Sequence, residues 1–386
     1  MTPLTRCNRG SGTVRESEFL LESCSDAHKT DYAIGCRAIG GAMTAAARIT
    51  ATGAYLPSQI MTNADLERLV DTSDEWINAR TGIRERRIAA PDEAASTLGA
   101  EAVRRMLDDA DVDPSEIDLL IAGTCSPDGM FPAVATRIQQ AVGADRATSF
   151  DVNAACASYV TGLNIASQFI ATGAARRVVV VGTEAITRLL NWSDRNTCVL
   201  FGDGAGASLL EPVLPGEPGG IDQIVMRSDG SRADVVYAGG PAAPQGPLER
   251  EAHIFMDGRA LFRAAVAEMK ESCLQALAAA GLTIDDVDLF VPHQANLRIM
   301  NAVMHGLRLP ADRMFVTIDR YGNTSSATIP IALAEAQAAG RLQAGDRVLI
   351  STIGAGLTWG AAVMEWAPQR HRSAEAAPAM LLTTSN

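Results

Sequence analysis

Short apolar runs alternate with longer segments of helical spacing along most of the chain. Helices are predicted at 96–109, where Ser96 is the expected N-cap, and at 132–142. Short apolar runs between turn residues predict buried strands at 48–55, 118–121, 149–152 and 178–181. This alternation is typical of an α/β protein with a parallel or mixed sheet.

The same pattern occurs twice, at an offset of 170 residues. The run 117–121 resembles 287–291, and the run 177–180 resembles 347–350. One such match is weak, but two at the same offset, each strand preceded by a helical pattern, predict a duplicated α/β unit.

The division of the chain follows from this repeat. A Pro/Gly-rich stretch at 212–220 separates the two copies. The residues before Met43 show no clear periodicity, and those after about 369 are rich in Ala, Ser and Thr. We therefore expect a disordered N-terminal extension at 1–42, a first half at 43–215, a second half at 216–368 and a flexible tail at 369–386.

Composition narrows the class of protein. Hydrophobic residues make up 47% and charged residues 20%, which favours a folded globular protein, and the net charge of −12 argues against generic nucleic-acid binding. The longest uncharged run, 348–364, is interrupted by glycines and predicts strand, turn and strand rather than a membrane span. Seven cysteines without a CxxC pair predict neither a disulfide framework nor a zinc site, and favour a cytoplasmic location.

Candidate chemistry lies in the turns after the predicted strands, where α/β sheets bind their ligands. After the strand at 149–152, two alanines lead to Cys156, which begins an apolar helix running to about residue 171. A thiol at a helix N-terminus is expected to have a lowered pKa and to act as a nucleophile. The alternative is a buried structural cysteine.

Three further turns carry possible hydrogen-bond donors. His293 follows one predicted strand, Asn323 follows another at 314–318, and Gly354-Ala355-Gly356 joins two strands. Taken singly, each has a plainer interpretation as a helix cap or a tight turn. Together, a thiolate, an imidazole, a carboxamide and backbone N–H groups suit carbon–carbon bond formation on thioesters.

With these residues, the sequence resembles the β-ketoacyl-acyl-carrier-protein synthase III family of the thiolase superfamily, which starts type II fatty acid synthesis. The resemblance covers about residues 46–367 and rests on the motifs at 72–77, 80–86, 151–156, 201–206, 291–296, 322–325 and 358–360. It implies an α/β, thiolase-like, five-layered αβαβα fold from two duplicated halves, and a catalytic triad of Cys156, His293 and Asn323.

The resemblance also implies an acyltransferase that uses acyl-CoA and malonyl-carrier protein as substrates and needs no cofactor or metal. Cys156 would take the acyl group, while His293 and Asn323 would stabilise the enolate formed as CO₂ departs, giving a 3-oxoacyl-carrier protein. The backbone N–H groups of Cys156 and Ala355 would form the oxyanion hole. The family usually has glycine at 355, and alanine does not readily adopt a left-handed φ.

Substrate and partner contacts are implied in the same way. Phe131 is expected to cross the interface of a homodimer and close the partner's acyl pocket, and its large ring favours a short primer such as acetyl. CoA is expected to contact Thr72, Trp76, Arg80, Arg195, Phe262 and Asn296, with the adenine stacked between Trp76 and Arg195. An acidic carrier protein needs local basic residues, and its expected contacts are Gln294, Ala295, Asn296, Leu297, Arg298 and Arg263.

Two alternatives to this function stay open at this stage. One is a starter-unit acyltransferase or condensing enzyme of a polyketide or other secondary-metabolite pathway. The other is a non-catalytic CoA-binding paralogue, which the intact triad disfavours. Primer length and pathway are left open, and neither a nucleic acid nor a membrane is expected as a partner.

Overall fold

The computed structural model describes residues 46–240 and 252–367. A five-stranded sheet organises the first repeat. The elements are β1 (Ala47–Tyr55), β2 (Gln59–Thr62), α1 (Asn63–Leu66), α2 (Asp74–Thr81), β3 (Glu85–Ile88), α3 (Ala95–Ala110), β4 (Leu119–Gly123), α4 (Val134–Val142), β5 (Thr148–Val152), α5 (Ser158–Ala171), β6 (Val178–Glu184) and β7 (Gly204–Pro212). The strand order is β1, β7, β6, β4, β5, and the last three run parallel.

A four-stranded sheet organises the second repeat, in the order β8, β13, β12, β11. The elements are β8 (Gly220–Ser228), β9 (Val236–Tyr237), β10 (Phe255–Met256), α6 (Gly258–Ala279), β11 (Leu289–Pro292), α7 (Leu297–Leu307), α8 (Ile318–Tyr321), α9 (Thr328–Ala338), β12 (Arg347–Gly354) and β13 (Thr358–Glu365). The predicted strand, turn and strand at 348–364 is therefore confirmed as β12 and β13.

Equivalent strands pair at equivalent residues in the two sheets, which confirms the duplication. Leu119 of β4 lies opposite Val178 of β6, and Leu289 of β11 lies opposite Val348 of β12, in parallel pairs. In each half, an aspartate accepts a hydrogen bond from the backbone N–H of an arginine at, or just before, the start of the neighbouring parallel strand. Asp118 precedes β4 and accepts from Arg177, and Asp288 precedes β11 and accepts from Arg347. The same sequence offset thus produces the same pairing twice.

Five layers result from the way the helices cover the sheets. Helices α3 and α4 pack on the outer face of the first sheet, and α6 and α7 pack on the outer face of the second. Between the sheets, Leu163 of α5 and Leu333 of α9 pack with Ile121 and Ile350 of the two sheets. Burial of apolar side chains on both sides of the central helices holds the halves together.

Each central helix begins with the same tight turn, a single turn of 3₁₀ helix at Ala155–Ala157 before α5 and at Ser325–Ala327 before α9. Both turns start with a non-glycine residue in the left-handed region, Ala155 at φ 48° and Ser325 at φ 50°. The two turns pack against each other. Left-handed non-glycine residues are costly and concentrate at functional sites, so this junction is where chemistry is expected.

The predicted cap of the helix at 96–109 is wrong. That helix, α3, begins one residue earlier, with Ala94 in the cap position. Ser96 lies inside the first turn, and its hydroxyl donates to Oδ2 of Asp128 at 2.5 Å. The Ser96 side chain therefore bonds to a residue that is distant in sequence instead of capping the helix.

The strand predicted at 314–318 is also wrong, since it is reduced to a single bridge between Met314 and Phe290. Oε1 of Gln294 accepts the backbone N–H groups of Thr317 and Ile318, at 2.9 and 3.3 Å. A side-chain amide therefore replaces the strand partner, and the chain turns into α8.

The predicted extension at 1–42 and tail at 369–386 lie outside the described residues. The predicted junction at 212–220 falls on the connection between β7 and β8. Within the described ranges, no helix combines the length and apolar character required to cross a membrane.

Candidate active site

Cys156 lies in the tight turn ahead of α5, and residues of both halves fix this turn. The Ser158 hydroxyl donates to the carbonyl of Ala155 at 2.7 Å and accepts the N–H of Ala154 at 2.8 Å. From β12 in the second half, the Thr352 hydroxyl donates to the carbonyl of Cys156 at 3.0 Å. The position of the thiol is therefore set by hydrogen bonds rather than by packing alone.

Burial raises the pKa of the Cys156 thiol to about 12. A hydrogen bond with Ser325 and the residue's own backbone N–H act to lower that pKa, while the nearby Glu184 carboxylate acts to raise it. The lowered pKa expected from the helix N-terminus is therefore wrong for the free protein, because desolvation of the charged form is the larger effect. At neutral pH the Cys156 side chain is therefore an uncharged thiol.

His293 follows β11 and is 1% exposed. Burial lowers the pKa of His293 to about 3, so the imidazole is neutral at physiological pH. Its backbone N–H donates to the carbonyl of Ser351 at 2.7 Å, and its ring Nδ1 lies 2.7 Å from Oγ1 of Thr328. With Nδ1 engaged in this way, Nε2 is the ring nitrogen that is left for a substrate.

Asn323 is buried just before the second tight turn, and its carboxamide has a defined orientation. Its Oδ1 accepts the backbone N–H of Ser325 at 2.8 Å. Its own backbone N–H donates to the carbonyl of Leu200, and its carbonyl accepts the N–H of Gly202. Because only the oxygen of the amide can accept the Ser325 hydrogen bond, the NH₂ group is left to donate elsewhere.

The glycine turn between β12 and β13 lies directly against the cysteine turn. A methyl group on Gly354 would come within 2.5 Å of the carbonyl oxygen of Ala154 and 2.9 Å of the Cys156 nitrogen, so this close approach requires glycine. The left-handed φ of the turn, 138°, falls on Gly356. Ala355 is not in that region, so alanine in place of the family's glycine brings no backbone strain.

A cavity of about 130 Å³ brings the predicted groups together, since Cys156, His293, Asn323 and Ala355 all line it. Much of the remaining wall is apolar, from Ile186, Leu189, Phe201, Leu261, Ile299 and Ile353. A second cavity of about 260 Å³ shares part of this wall, at Met256, Leu261, Ala295, Ile299 and Asn323. Cys156 lines only the first of these, which we call the catalytic cavity, and we call the second the outer cavity.

The outer cavity contains most of the predicted CoA contacts, namely Trp76, Arg80, Arg195, Phe262 and Asn296. The guanidinium carbons of Arg80 and Arg195 lie 4.6 and 5.1 Å from the centroid of the Trp76 ring. Both distances are in the range of a cation–π contact. The Arg195 guanidinium lies against the Trp76 ring, so an adenine stacked between these two side chains would have to displace it.

Two predicted CoA contacts differ from the rest. Thr72 does not line the outer cavity, and its hydroxyl is buried without a hydrogen-bond partner. Asn296 lines that cavity, but its side chain is already engaged as the N-cap of α7, accepting the N–H of Arg298 at 2.8 Å and donating to the carbonyl of Arg80 at 3.1 Å. Direct contact with CoA is therefore least supported at Thr72.

The prediction that Gln294 contacts the carrier protein is wrong. Gln294 is 0% exposed, and its amide is saturated by the main chain of residues 292, 315, 317 and 318. Arg298 and Arg263 are exposed, whereas Ala295 and Leu297 are half-buried. Phe131 is 83% exposed and does not line the catalytic cavity of its own chain.

Sequence reasoning missed Glu184, a fully buried carboxylate at the end of β6. It accepts the backbone N–H groups of Cys125 and Ser126 and the hydroxyl of Ser126, at 3.2, 3.1 and 2.5 Å. The available signal was a single acid ending an otherwise apolar strand. Cys125, a second thiol lining the cavity, was also missed, and no local pattern distinguishes it.

The raised pKa of Cys156 predicts the pH dependence of its alkylation. If the thiolate is the reacting species, the rate with iodoacetamide should rise about tenfold per pH unit from about pH 7 to about pH 9, because the thiolate fraction is far from saturation. Stopped samples read by peptide mass spectrometry would give the rate at Cys156 itself. A plateau near neutral pH would contradict this expectation and support a pKa lowered by the helix N-terminus.

Over residues 46–240 and 252–367, no cluster of three or more His, Cys, Asp or Glu side chains is placed to hold a metal ion.

The duplicated αβαβα fold, with a thiol, a neutral imidazole and a carboxamide on one cavity, defines a condensing acyltransferase of the thiolase fold. The family profile described as 3-oxoacyl-[acyl-carrier-protein] synthase III matches residues 150–230, and the profile of its C-terminal part matches residues 277–366. The chain belongs to the β-ketoacyl-acyl-carrier-protein synthase III family.

Individual relatives agree with this assignment. The β-ketoacyl-acyl-carrier-protein synthase III of Roseiflexus castenholzii is 51% identical over 325 residues, which is 83% of this chain and 98% of that protein. The solved structure of the Thermus thermophilus enzyme is 44% identical, with a TM-score of 0.80, over 83% of this chain and 100% of that one. The priming β-ketosynthase of the R1128 polyketide pathway is 36% identical, with a TM-score of 0.80, over 87% of this chain and 100% of that one.

Proposed function

We propose that the chain catalyses the decarboxylative Claisen condensation of a short acyl-CoA with malonyl-acyl-carrier protein, which initiates type II fatty acid synthesis. The observation that carries this proposal is the combination of Cys156, a neutral His293 and a donor-oriented Asn323 on one largely apolar cavity. Relatives at 51 and 50% identity that bear the family name support the same reaction.

In the first half-reaction, the Cys156 sulfur attacks the thioester carbon of acyl-CoA. The thiol proton leaves with CoA as its free thiol, so that an acyl-cysteine remains. The backbone N–H groups of Cys156 and Ala355 are the proposed donors to the tetrahedral oxyanion, and the close contact between their two turns supports this role.

In the second half-reaction, malonyl-carrier protein loses CO₂ and its thioester carbonyl becomes an enolate. His293 stays neutral because of its low pKa, and it donates with Asn323 to the enolate oxygen. The carbon then attacks the acyl-cysteine, giving 3-oxoacyl-carrier protein and the Cys156 thiolate, which takes up a proton from solvent to regain the neutral thiol. Labelled acetyl-CoA with a mixture of malonyl-carrier protein and carrier protein that bears a free phosphopantetheine thiol tests the sequence. Acetyl transfer to the free thiol without CO₂ release would instead indicate a starter-unit acyltransferase.

The outer cavity is the proposed CoA site. Trp76 with its two neighbouring arginines offers a stacking surface for adenine and positive charge for phosphates. Phe262 and Asn296 line the outer cavity, which shares wall residues with the cavity of Cys156, and we propose that they contact the pantetheine arm.

Replacing Trp76 by alanine should raise the KM for acetyl-CoA about tenfold, since stacking of one base on an aromatic ring is worth roughly 1–3 kcal/mol. The KM for malonyl-carrier protein should not change, because the carrier protein presents phosphopantetheine without adenine. Trp76→Phe is the matched control and should retain most of the affinity. Steady-state kinetics in both substrates measure the split, and an equal rise in both KM values would contradict an adenine site.

The acidic carrier protein is proposed to dock beside the outer cavity. Arg298 of α7 lines that cavity, and Arg263 of α6 is exposed, so both are available to acidic side chains. Ala295, Asn296 and Leu297 adjoin them, whereas Gln294 is excluded by burial. A local basic patch of this kind would let an acidic enzyme bind an acidic partner.

A homodimer is part of the proposal. Strand β5 is the edge of the first sheet, and Met130 and Phe131 nearby are 68 and 83% exposed. Large exposed apolar side chains beside an open strand edge favour association with a second copy. We propose that Phe131 closes the partner's acyl pocket and that the protein acts in the cytoplasm, where four unpaired cysteines in the described residues are compatible with reducing conditions.

A further inference from the structure

Thr328 is the first residue of α9 and has no part in the mechanism given above. It is 2% exposed, and its hydroxyl oxygen lies 2.7 Å from Nδ1 of His293. The same oxygen lies 3.0 Å from the carbonyl oxygen of Ser325. A buried hydroxyl therefore stands between the catalytic imidazole and the second tight turn.

This hydroxyl has one proton and two neighbours that can accept it. If the proton points to Ser325, then Nδ1 of His293 must carry the imidazole proton and donate to Thr328, which leaves Nε2 as an acceptor. If it points to Nδ1, the imidazole proton is on Nε2, and the ring donates toward the substrate. The direction of one O–H bond thus decides whether His293 can stabilise an enolate.

Two observations favour donation to His293. The carbonyl of Ser325 already accepts the backbone N–H of Thr328, so it does not need the hydroxyl proton. The hydroxyl oxygen also lies closer to Nδ1, at 2.7 Å, than to the Ser325 carbonyl oxygen, at 3.0 Å, which is the upper end of the usual O–H···O range. Both distances assign the proton to the bond with the imidazole.

We propose that Thr328 is a positioning residue whose hydroxyl donates to Nδ1 of His293 and so fixes the tautomer protonated at Nε2. This inference rests on the proposed function for its consequence, which is that His293 is a ready donor to the enolate oxygen. Thr328 does not touch substrate in this account. It acts only through the imidazole.

The kinetic test compares Thr328→Val, which keeps the shape and removes the hydroxyl, with Thr328→Ser, which keeps the hydroxyl. We expect Thr328→Val to acylate from acetyl-CoA within about twofold of the wild-type rate, and to decarboxylate malonyl-carrier protein at least about tenfold more slowly. Thr328→Ser should decarboxylate within about threefold of wild type. Equal decarboxylation by the Val and Ser variants would overturn the proposal.

A spectroscopic test applies to the wild-type protein itself. Labelling histidine with ¹⁵N and assigning the His293 signals against His293→Ala reports which ring nitrogen carries the proton. We expect Nε2 protonated and Nδ1 unprotonated in wild type and in Thr328→Ser. In Thr328→Val the Nδ1 signal should move upfield, toward the position of a protonated ring nitrogen, because the tautomer is no longer fixed. A proton on Nδ1 in wild type would overturn the inference even if condensation is observed, whereas Nε2 protonation without condensation would overturn only the proposed function.

Discussion

Replacing Cys156 by alanine is expected to abolish acyl transfer from acyl-CoA and to lower the condensation rate at least about 1,000-fold, because the atom that forms the acyl-enzyme is removed. His293 and Asn323 are unchanged, so the variant should still decarboxylate malonyl-carrier protein. Intact mass after incubation with acetyl-CoA measures acylation, and release of labelled CO₂ measures decarboxylation.

Cys273→Ala is the matched control for this experiment. Cys273 is equally a free thiol, but it is buried in α6 and does not line the catalytic cavity. That variant should acylate within about twofold of wild type. Peptide mapping is needed as well, because Cys125 lines the cavity with Cys156. An acetyl group found on Cys125 would contradict the assignment of the nucleophile.

Replacing Asn323 by aspartate is expected to reverse this pattern. The carboxylate can still accept the N–H of Ser325, so the local turn should persist, but the donor to the enolate is lost and a negative charge takes its place. Removing one such donor typically costs about 100- to 1,000-fold. Decarboxylation and condensation should fall by that amount, while acylation of Cys156 should stay within a few-fold of wild type.

His293→Ala should give the same phenotype by removing the second donor. Single-turnover acylation and malonyl decarboxylation, measured separately on each variant, distinguish the roles. If Asn323→Asp and His293→Ala lost acylation as completely as Cys156→Ala, the division of labour between the two half-reactions would be wrong.

The position of the site could be predicted because it depends on two features that can be seen in the sequence, the internal repeat and the turns that follow the strands. The repeat at an offset of 170 residues predicts two related α/β units. In the structure, the tight turns ahead of α5 and α9 lie at that same offset and pack together. Strand ends in α/β proteins are shared binding faces. Residues in the turns after strands are therefore candidates from the sequence alone.

The electrostatics of the site could not be predicted in the same way. Helix position pointed to a lowered pKa for Cys156, but the extent of its desolvation depends on walls from both halves of the chain. Thr328 was missed for a related reason. It is an ordinary helix-start threonine in sequence, and only the fold brings its hydroxyl to His293, 35 residues away.

Side chains that replace backbone partners caused the remaining errors. Gln294 carries the polarity of a surface contact, yet its amide pairs with the main chain and removes the strand predicted at 314–318. Serine is a preferred N-cap residue, yet the Ser96 hydroxyl donates a hydrogen bond to the Asp128 carboxylate instead. Local propensity cannot anticipate such partners, because they come from distant parts of the chain.

The central claim, that one cysteine carries the acyl group into a decarboxylative condensation, is tested most directly by a single-turnover chase. The protein is acetylated with labelled acetyl-CoA, freed of excess substrate and mixed with equal amounts of malonyl-carrier protein and carrier protein that bears a free phosphopantetheine thiol. Acetylation of Cys156, CO₂ and labelled carrier protein are followed together. The account predicts that acetyl-Cys156 disappears as CO₂ and 3-oxobutanoyl-carrier protein form in equal amounts. Loss of acetyl-Cys156 to acetyl-carrier protein without CO₂, or the absence of any acetyl-Cys156, would contradict it.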